Sequence, residues 1–171
     1  MRKVVLNLAV SLDGYIAGLN GEYDWCFTDQ DYGLKKFLSR IDSTLMGRKT
    51  FEVLLEQGTE TFEELNNFVF SKTLNNTYSD KVTIVKKDAA AFIKKLKQQQ
   101  GKDLWLFGGS ELIKNFLEEN LIDELILSVH PVSLGDGIPL FQKLSERKKW
   151  QFVSCKSYST GLVQLHYEQA Q

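Results

Sequence analysis

The chain has 171 residues, of which 43% are apolar and 25% charged, enough for one packed domain and unlike a disordered segment. Its 21 basic and 22 acidic residues give a formal net charge of -1, so no global field exists to hold nucleic acid or an anionic membrane, and any anion site must be local. Cys26 and Cys155 fall in no CxxC or metal-type spacing, and two histidines leave little material for a zinc site. This pattern suits free thiols in a reducing compartment. No apolar run approaches the roughly 20 residues of a membrane span, and the expected address is the cytoplasm, where the sequon-like Asn75-Asn76-Thr77 carries no meaning.

In chain order, "VVLNLAV" reads as a strand, and the long stretch after it, punctuated by Gly14, Gly18 and Gly21, as loop. From Asp31 onward, Leu34, Phe37, Leu38 and Ile41 recur at helical spacing. "STLM" is a short strand, "RKTFEVLLE" a helix that Gly58 can end, and "NNFVF" and "KVTIV" two more strands. Asp88 caps the helix "AAAFIKKLKQQQ", with Gly101 as its stop. "DLWLF" runs through Gly108-Gly109 into the helix "SELIKNFLEEN"; "IDELILSVHPV" is a strand and "SLGDGIPLF" a glycine-rich loop. The end forms two alternating runs joined near Thr160-Gly161, an antiparallel hairpin. Strand and helix alternate through the middle, which favours a parallel sheet with helices on both faces; the closing hairpin makes it mixed. Phe92, Phe116 and Trp150 fit core faces, and His166 a strand surface.

Three strand ends point to an anionic ligand. In Met46-Gly47-Arg48-Lys49-Thr50 two cations stand at a helix start, where orphan N–H groups and about half a positive charge already accumulate. Such frustration is relieved by a bound phosphate, or by a neighbouring acid such as Glu52. Ser71 and Lys72 follow another strand and suit a terminal phosphate such as the 2′-phosphate of NADP; an ordinary polar turn would look the same. In "LWLFGGSEL" the glycines admit close backbone approach and the helix start binds phosphate. Neither a P-loop nor a G-x-G-x-x-G fingerprint is present.

Together "SLDGYIA", "MGRKTFE", "VFSKT", "LWLFGGSEL" and "SLGDGIPLF" resemble, in this order, the dihydrofolate reductase superfamily, and within it the reductase domain of bacterial riboflavin biosynthesis and its stand-alone relatives. The resemblance covers nearly the whole chain. It implies an α/β, three-layer, dihydrofolate-reductase-like fold over residues 1–171 as one domain. Its sheet would be mixed, mostly parallel, of about eight strands, with flanking helices and the C-terminal hairpin. NADPH would be the hydride donor. By carry-over, Gly47, Arg48, Lys49 and Thr50 would hold the phosphates, and Ser71 and Lys72 the adenine end. Gly108, Gly109, Ser110 and Glu111 would wrap the pyrophosphate and nicotinamide ribose, with Ala9 and Ile16 against the nicotinamide. Relatives of this branch imply a homodimer.

On the substrate side the match is looser. True dihydrofolate reductases hold the pterin with a carboxylate on the first helix, a few residues after a tryptophan. Here Trp25 is followed by Asp29 and Asp31, and Asp31 is the better placed. Riboflavin-type reductases take a ribosylated pyrimidine with a phosphate tail; Lys35 and Lys36 are the nearest cations for it. Asp31 or Asp13 could supply the proton that accompanies hydride, although Asp31 also suits a helix cap and Asp13 a loop cap. The leading expectation is reduction of a 5-amino-6-(5-phosphoribosylamino)uracil-like substrate. A dihydrofolate or pteridine reductase is the alternative, and an NADP-binding sensor without turnover the alternative of another class.

Overall fold

A computed structural model describes residues 1–58, 60–76 and 78–170, so Thr77 of the sequon-like triplet lies outside the described residues. The chain runs β1 (Val4–Ser11), β2 (Tyr15–Ala17), α1 (Leu34–Ser39), β3 (Ile41–Gly47), α2 (Arg48–Gln57), α3 (Glu60–Glu63), β4 (Asn66–Phe70) and β5 (Val82–Val85). It continues with α4 (Ala89–Lys97), β6 (Asp103–Gly108), α5 (Ser110–Glu118), β7 (Glu124–His130), β8 (Ile138–Pro139), β9 (Trp150–Ser157) and β10 (Val163–Gln169). Eight strands form one sheet in the order β5-β4-β3-β6-β1-β7-β10-β9. The first six positions are parallel; β10 returns antiparallel to β7, and β9 antiparallel to β10. The expected mixed sheet with its closing hairpin is therefore present.

Alternation on the central strand sets the layers. Val4, Leu6 and Val10 of β1 face one side and pack with Leu104, Leu106, Leu125 and Leu127 beneath Ile93 and Leu96 of α4 and Ile113 and Phe116 of α5. Val5 faces the other side, where Trp105 and Ile41 meet Phe37 of α1. Phe116 is 1% exposed, and trimming such a side chain to alanine costs about 3–5 kcal/mol.

At the amino ends of the parallel strands lies a charged knot. Glu124 is 2% exposed and accepts from Lys3 Nζ at 2.6 Å and Arg40 Nη1 at 2.9 Å. Arg40, at the close of α1, also holds Asp103 of β6. Burial alone would raise the Glu124 carboxyl; the Arg40 and Lys3 hydrogen bonds overcome that and bring it down to about 2. β1, β6, β7 and the α1–β3 corner are thereby tied at one point.

Some local expectations change. The first helix starts at Leu34 rather than Asp31, because Gly33 takes a left-handed conformation (φ 85) in front of it. Gly58 ends α2 and Asp88 caps α4 by accepting from the Ala91 N–H, as expected, but α4 closes at Gln98. Gly101 serves instead to let the chain pass Asp42 and Arg2: a Cβ there would lie 2.7 Å from Asp42 Oδ2. The loop "SLGDGIPLF" contributes β8, which pairs with β2 in a small second sheet.

Candidate functional site

Two helices start side by side at the carboxyl ends of neighbouring strands. β3 ends in Gly47 and feeds α2; β6 ends in Gly108 and feeds α5 through Gly109. Gly47 and Gly109 are the helix caps, and neither helix start receives a side-chain capping bond. Backbone N–H groups are left to find another acceptor. The two turns touch: a Cβ on Gly47 would sit 3.8 Å from the Gly109 nitrogen, and a Cβ on Gly109 only 3.3 Å from Thr50 Oγ1. Gly108 has φ 144, and the Gly108-Gly109 peptide is cis. Side chains would fill this cradle, so the glycines keep it open. β4 lies on the far side of β3, with Phe70 opposite Gly47, which places Ser71 and Lys72 in the same row of strand ends.

Beside the cradle a cleft of about 1010 Å³ opens over one face of β6, β1, β7 and β10, roofed by residues 26–34 and α1. Among the residues singled out from sequence, Ala9, Ile16, Asp31, Thr50, Gly108 and Gly109 line it. Gly47, Lys49, Lys72 and Glu111 lie outside the lining; Lys49, Lys72 and Glu111 are exposed around the cradle. Arg48 is paired with Glu52 at 2.8 Å, one helical turn on. Ser71 is buried, and its hydroxyl accepts the N–H groups of Thr73 and Leu74, a turn-capping role. The Ser110 hydroxyl donates to the Pro139 carbonyl and accepts from Gln142, latching α5 to the following loop.

The candidate acids are corrected by their partners. Asp13 is not in the cleft lining. It accepts from the Ser11 hydroxyl and from the Gly135 and Leu134 N–H groups; the Ser11 bond leads in pulling its carboxyl below the usual range, against a small opposing effect of burial. It clamps the loop after β1 to the loop after β7. Asp31 does line the cleft, but its two oxygens accept the Gly33 and Lys35 N–H groups, and it is exposed. That is the helix-capping alternative. Lys35 lies outside the lining and Lys36 within it. Trp25 is likewise outside the lining, with its ring edge-on to His130 at 5.3 Å.

His130 is 3% exposed. Its Nδ1 bonds the Ser128 carbonyl and its Nε2 accepts the Phe27 N–H, so the ring is a neutral pin holding the roof to β7. Burial lowers its pKa, outweighing the Ser128 bond. Cys26, at the cleft edge, has its thiol pushed up to about 11 by burial, with Asp24 adding to the effect, and is unreactive at neutral pH. His166 departs from the sequence reading: it sits in the cleft lining, with Nε2 3.3 Å from Glu124. Asn7, Lys156, Tyr158 and Gln164 also line the cleft and were missed. Their signal was faint: Asn7 is one polar residue in an apolar strand, Gln164 alternates with apolar neighbours, and Lys156 and Tyr158 stand at the end of an exposed strand. Only pairing of strands far apart in sequence brings them together. Among the described residues no helix is long and apolar enough to cross a membrane.

The fold and the paired glycine turns define the class: a dihydrofolate-reductase-like α/β domain with a cleft at its strand ends. The chain belongs to the RibD C-terminal domain family, whose model matches residues 2–164. It is 39% identical over 178 residues to the uncharacterised Bacillus subtilis protein YyaP, covering 97% of this chain and 94% of that one. It is 38% identical to B. subtilis YwjB, covering 99% of both. A Shewanella sp. PV-4 structure described in connection with riboflavin biosynthesis matches with TM-score 0.89 and 31% identity over 100% of both chains. The Thermotoga maritima diaminohydroxyphosphoribosylaminopyrimidine deaminase/5-amino-6-(5-phosphoribosylamino)uracil reductase shares the fold, with TM-score 0.76 at 17% identity; this chain spans 57% of it.

Proposed function

We propose that the protein is an NADPH-dependent reductase of a small heterocycle, closest in substrate to a 5-amino-6-(5-phosphoribosylamino)uracil-like pyrimidine. The observation that carries this is the convergence of two side-chain-uncapped helix N-termini, at Gly47 and at Gly108-Gly109, on the rim of a cleft large enough for a nicotinamide and a second ring. Membership of the RibD C-terminal domain family supports it.

The residues fit the cofactor as follows. Backbone N–H groups after Gly47 and Gly109 would hold the pyrophosphate, with Lys49 and Thr50 beside it. Lys72, exposed at the end of β4, would meet the 2′-phosphate. Arg48 joins only by leaving Glu52, and Ser71 and Ser110 shape the turns rather than touch phosphate. Ala9 and Ile16 would flank the nicotinamide, where small and apolar side chains exclude water from one face. When bound, NADPH supplies hydride. The matching proton comes from water in the cleft, because Asp31 and Asp13 are both committed to backbone N–H groups.

The pteridine alternative is less favoured because Asp31, the acid it needs, is exposed and caps the turn into α1, accepting the Gly33 and Lys35 N–H groups. The decisive assay follows NADPH oxidation by absorbance with a panel of ribosylaminopyrimidines and dihydropterins. The proposal expects turnover with the pyrimidines. Turnover with dihydropterins alone would replace the substrate reading, and NADPH binding without turnover on any heterocycle would favour a sensor.

We also infer a homodimer in the cytoplasm. β9 forms an unpaired edge of the large sheet, with Phe152 57% and Val153 44% exposed. Sedimentation should give twice the chain mass of 19.6 kDa, reverting to the single mass in Phe152→Lys. A monomeric wild type would refute this.

A further inference from the structure

Asn7 stands on β1, the fifth strand of the eight and flanked by parallel neighbours on both sides. Such strands, covered on both faces, are ordinarily apolar throughout. Alternation puts Asn7 on the same face as Val5 and Ala9, the face over which the cleft opens. Its backbone carbonyl accepts the Trp105 indole N–H, but among the described residues its carboxamide has no hydrogen-bond partner. One step along the sheet, Ala9 lies opposite Ser128, and Ser128 opposite Gln164. The Gln164 carboxamide donates to Ser128 Oγ and to the Tyr32 carbonyl, both at a long 3.3 Å, and its oxygen accepts nothing among the described residues. Next to it, Tyr158 Oη is buried with no partner among those residues.

Asn7 and Gln164 are half-buried and open to the cleft, whereas Tyr158 Oη is buried, and a buried polar group without a partner costs stability unless something else satisfies it. Here a ligand can. Asn7 lies opposite Ile126 and Gln164 opposite Ser128, so the two stand two strands apart and two residues out of register, roughly 12 Å between Cα atoms, a span that their side chains can narrow to the width of one or two fused rings. Each carboxamide presents a C=O and an N–H₂ side by side. The complement is a ring lactam, an N–H adjacent to a C=O, in its neutral form. Asp31, the one carboxylate in the lining among the described residues, is exposed and caps the turn into α1.

We propose that Asn7 and Gln164 are the specificity-determining residues of this cleft, selecting a neutral planar heterocycle by its lactam edges, with Tyr158 Oη as a third contact. This rests on the reading of the cleft as a reductase site and names the residues and the chemical edge that choose the substrate.

The test uses two probes with saturating NADP⁺: 5,6-diaminouracil, and its 1,3-dimethyl analogue, in which both ring N–H groups are blocked. Binding is followed by calorimetry for the wild type, Asn7→Ala and Gln164→Ala. The wild type should prefer the unblocked ring by about tenfold or more, since a site built around hydrogen bonds rejects an analogue that lacks them. Each variant should lose most of that preference while its NADPH affinity stays within about twofold, which also shows that it is folded. A merely steric pocket would keep the preference in both variants, and that result overturns the proposal. Equal binding of the two probes by the wild type, or binding of neither, overturns it as well. Loss of NADPH binding by the wild type is a different failure and would remove the reductase reading itself.

Discussion

The two halves of the cleft are built from different materials. The half at the strand ends of β4, β3 and β6 is backbone: Gly47, Gly108 and Gly109 contribute by lacking side chains, and the helices they start contribute N–H groups. The half over β1, β7 and β10 is side chain: Asn7, Ser128, Gln164 and His166 present polar groups among Ala9, Ile126 and Leu162. A backbone cradle suits a ligand that never changes, because its donors cannot be mutated away singly. A side-chain floor suits a ligand that varies among relatives, because each position can be replaced without disturbing the strand that carries it.

The largest expected effect breaks the floor from below. Glu124→Ala removes the buried partner of Arg40 and Lys3 and should cost about 3 kcal/mol in urea unfolding, the low end for a buried pair because both cations reach water and keep Asp103 and Glu168. The same carboxylate sets an acid limit. Its folded pKa, about 2, lies under the ordinary 4.5. The stabilisation is therefore complete above the unfolded value and drains away as pH falls from about 4.5 toward 2. The wild type should lose stability steeply in that window, and Glu124→Ala should be much flatter there. Parallel curves would show that the knot is not what holds the floor.

A smaller effect strikes the cradle. Gly109→Val drives a branched side chain against Thr50, whose hydroxyl already lies 3.3 Å from the Cβ position. NADPH affinity should fall about a hundredfold, near 2.7 kcal/mol, with the floor's lactam preference intact. If both ligands weaken equally, the halves are not separable and the comparison fails. The smallest effect sharpens the cradle. Glu52→Gln frees Arg48 from its exposed pair, worth only about 0.3–0.5 kcal/mol, and should tighten NADPH by about twofold with almost no change in melting temperature.

The difference in material also explains what could be read beforehand. "MGRKT" and "LWLFGGSEL" are contiguous, and a strand–glycine–helix turn announces itself within ten residues, so the turns of the cradle were visible, while the count of about eight strands came with the family resemblance that these motifs carry. The floor was not visible. Asn7 shares a floor with Ser128 and Gln164 only through the pairing of β1 with β7 and of β7 with β10, more than a hundred residues away along the chain. In isolation Asn7 is one polar residue in an apolar run, and His166 alternates with its neighbours like any surface strand. Asp31 and Asp13 were ambiguous for a related reason: a carboxylate capping N–H groups and one poised to donate a proton look the same in sequence, and the partners Gly33, Lys35, Leu134 and Gly135 show the capping contacts.

The account depends most on what the cradle binds, and the direct measurement is a titration of the purified protein with NADPH and, separately, with NADH, followed by quenching of tryptophan fluorescence. Trp105 lines the cleft and would report either nucleotide. The account predicts a preference for NADPH of about tenfold or more, roughly 1.4 kcal/mol, that vanishes in Lys72→Ala. Equal, weak or absent binding of the two nucleotides would mean that the paired helix starts serve the fold alone, and the reductase reading would lose its physical support.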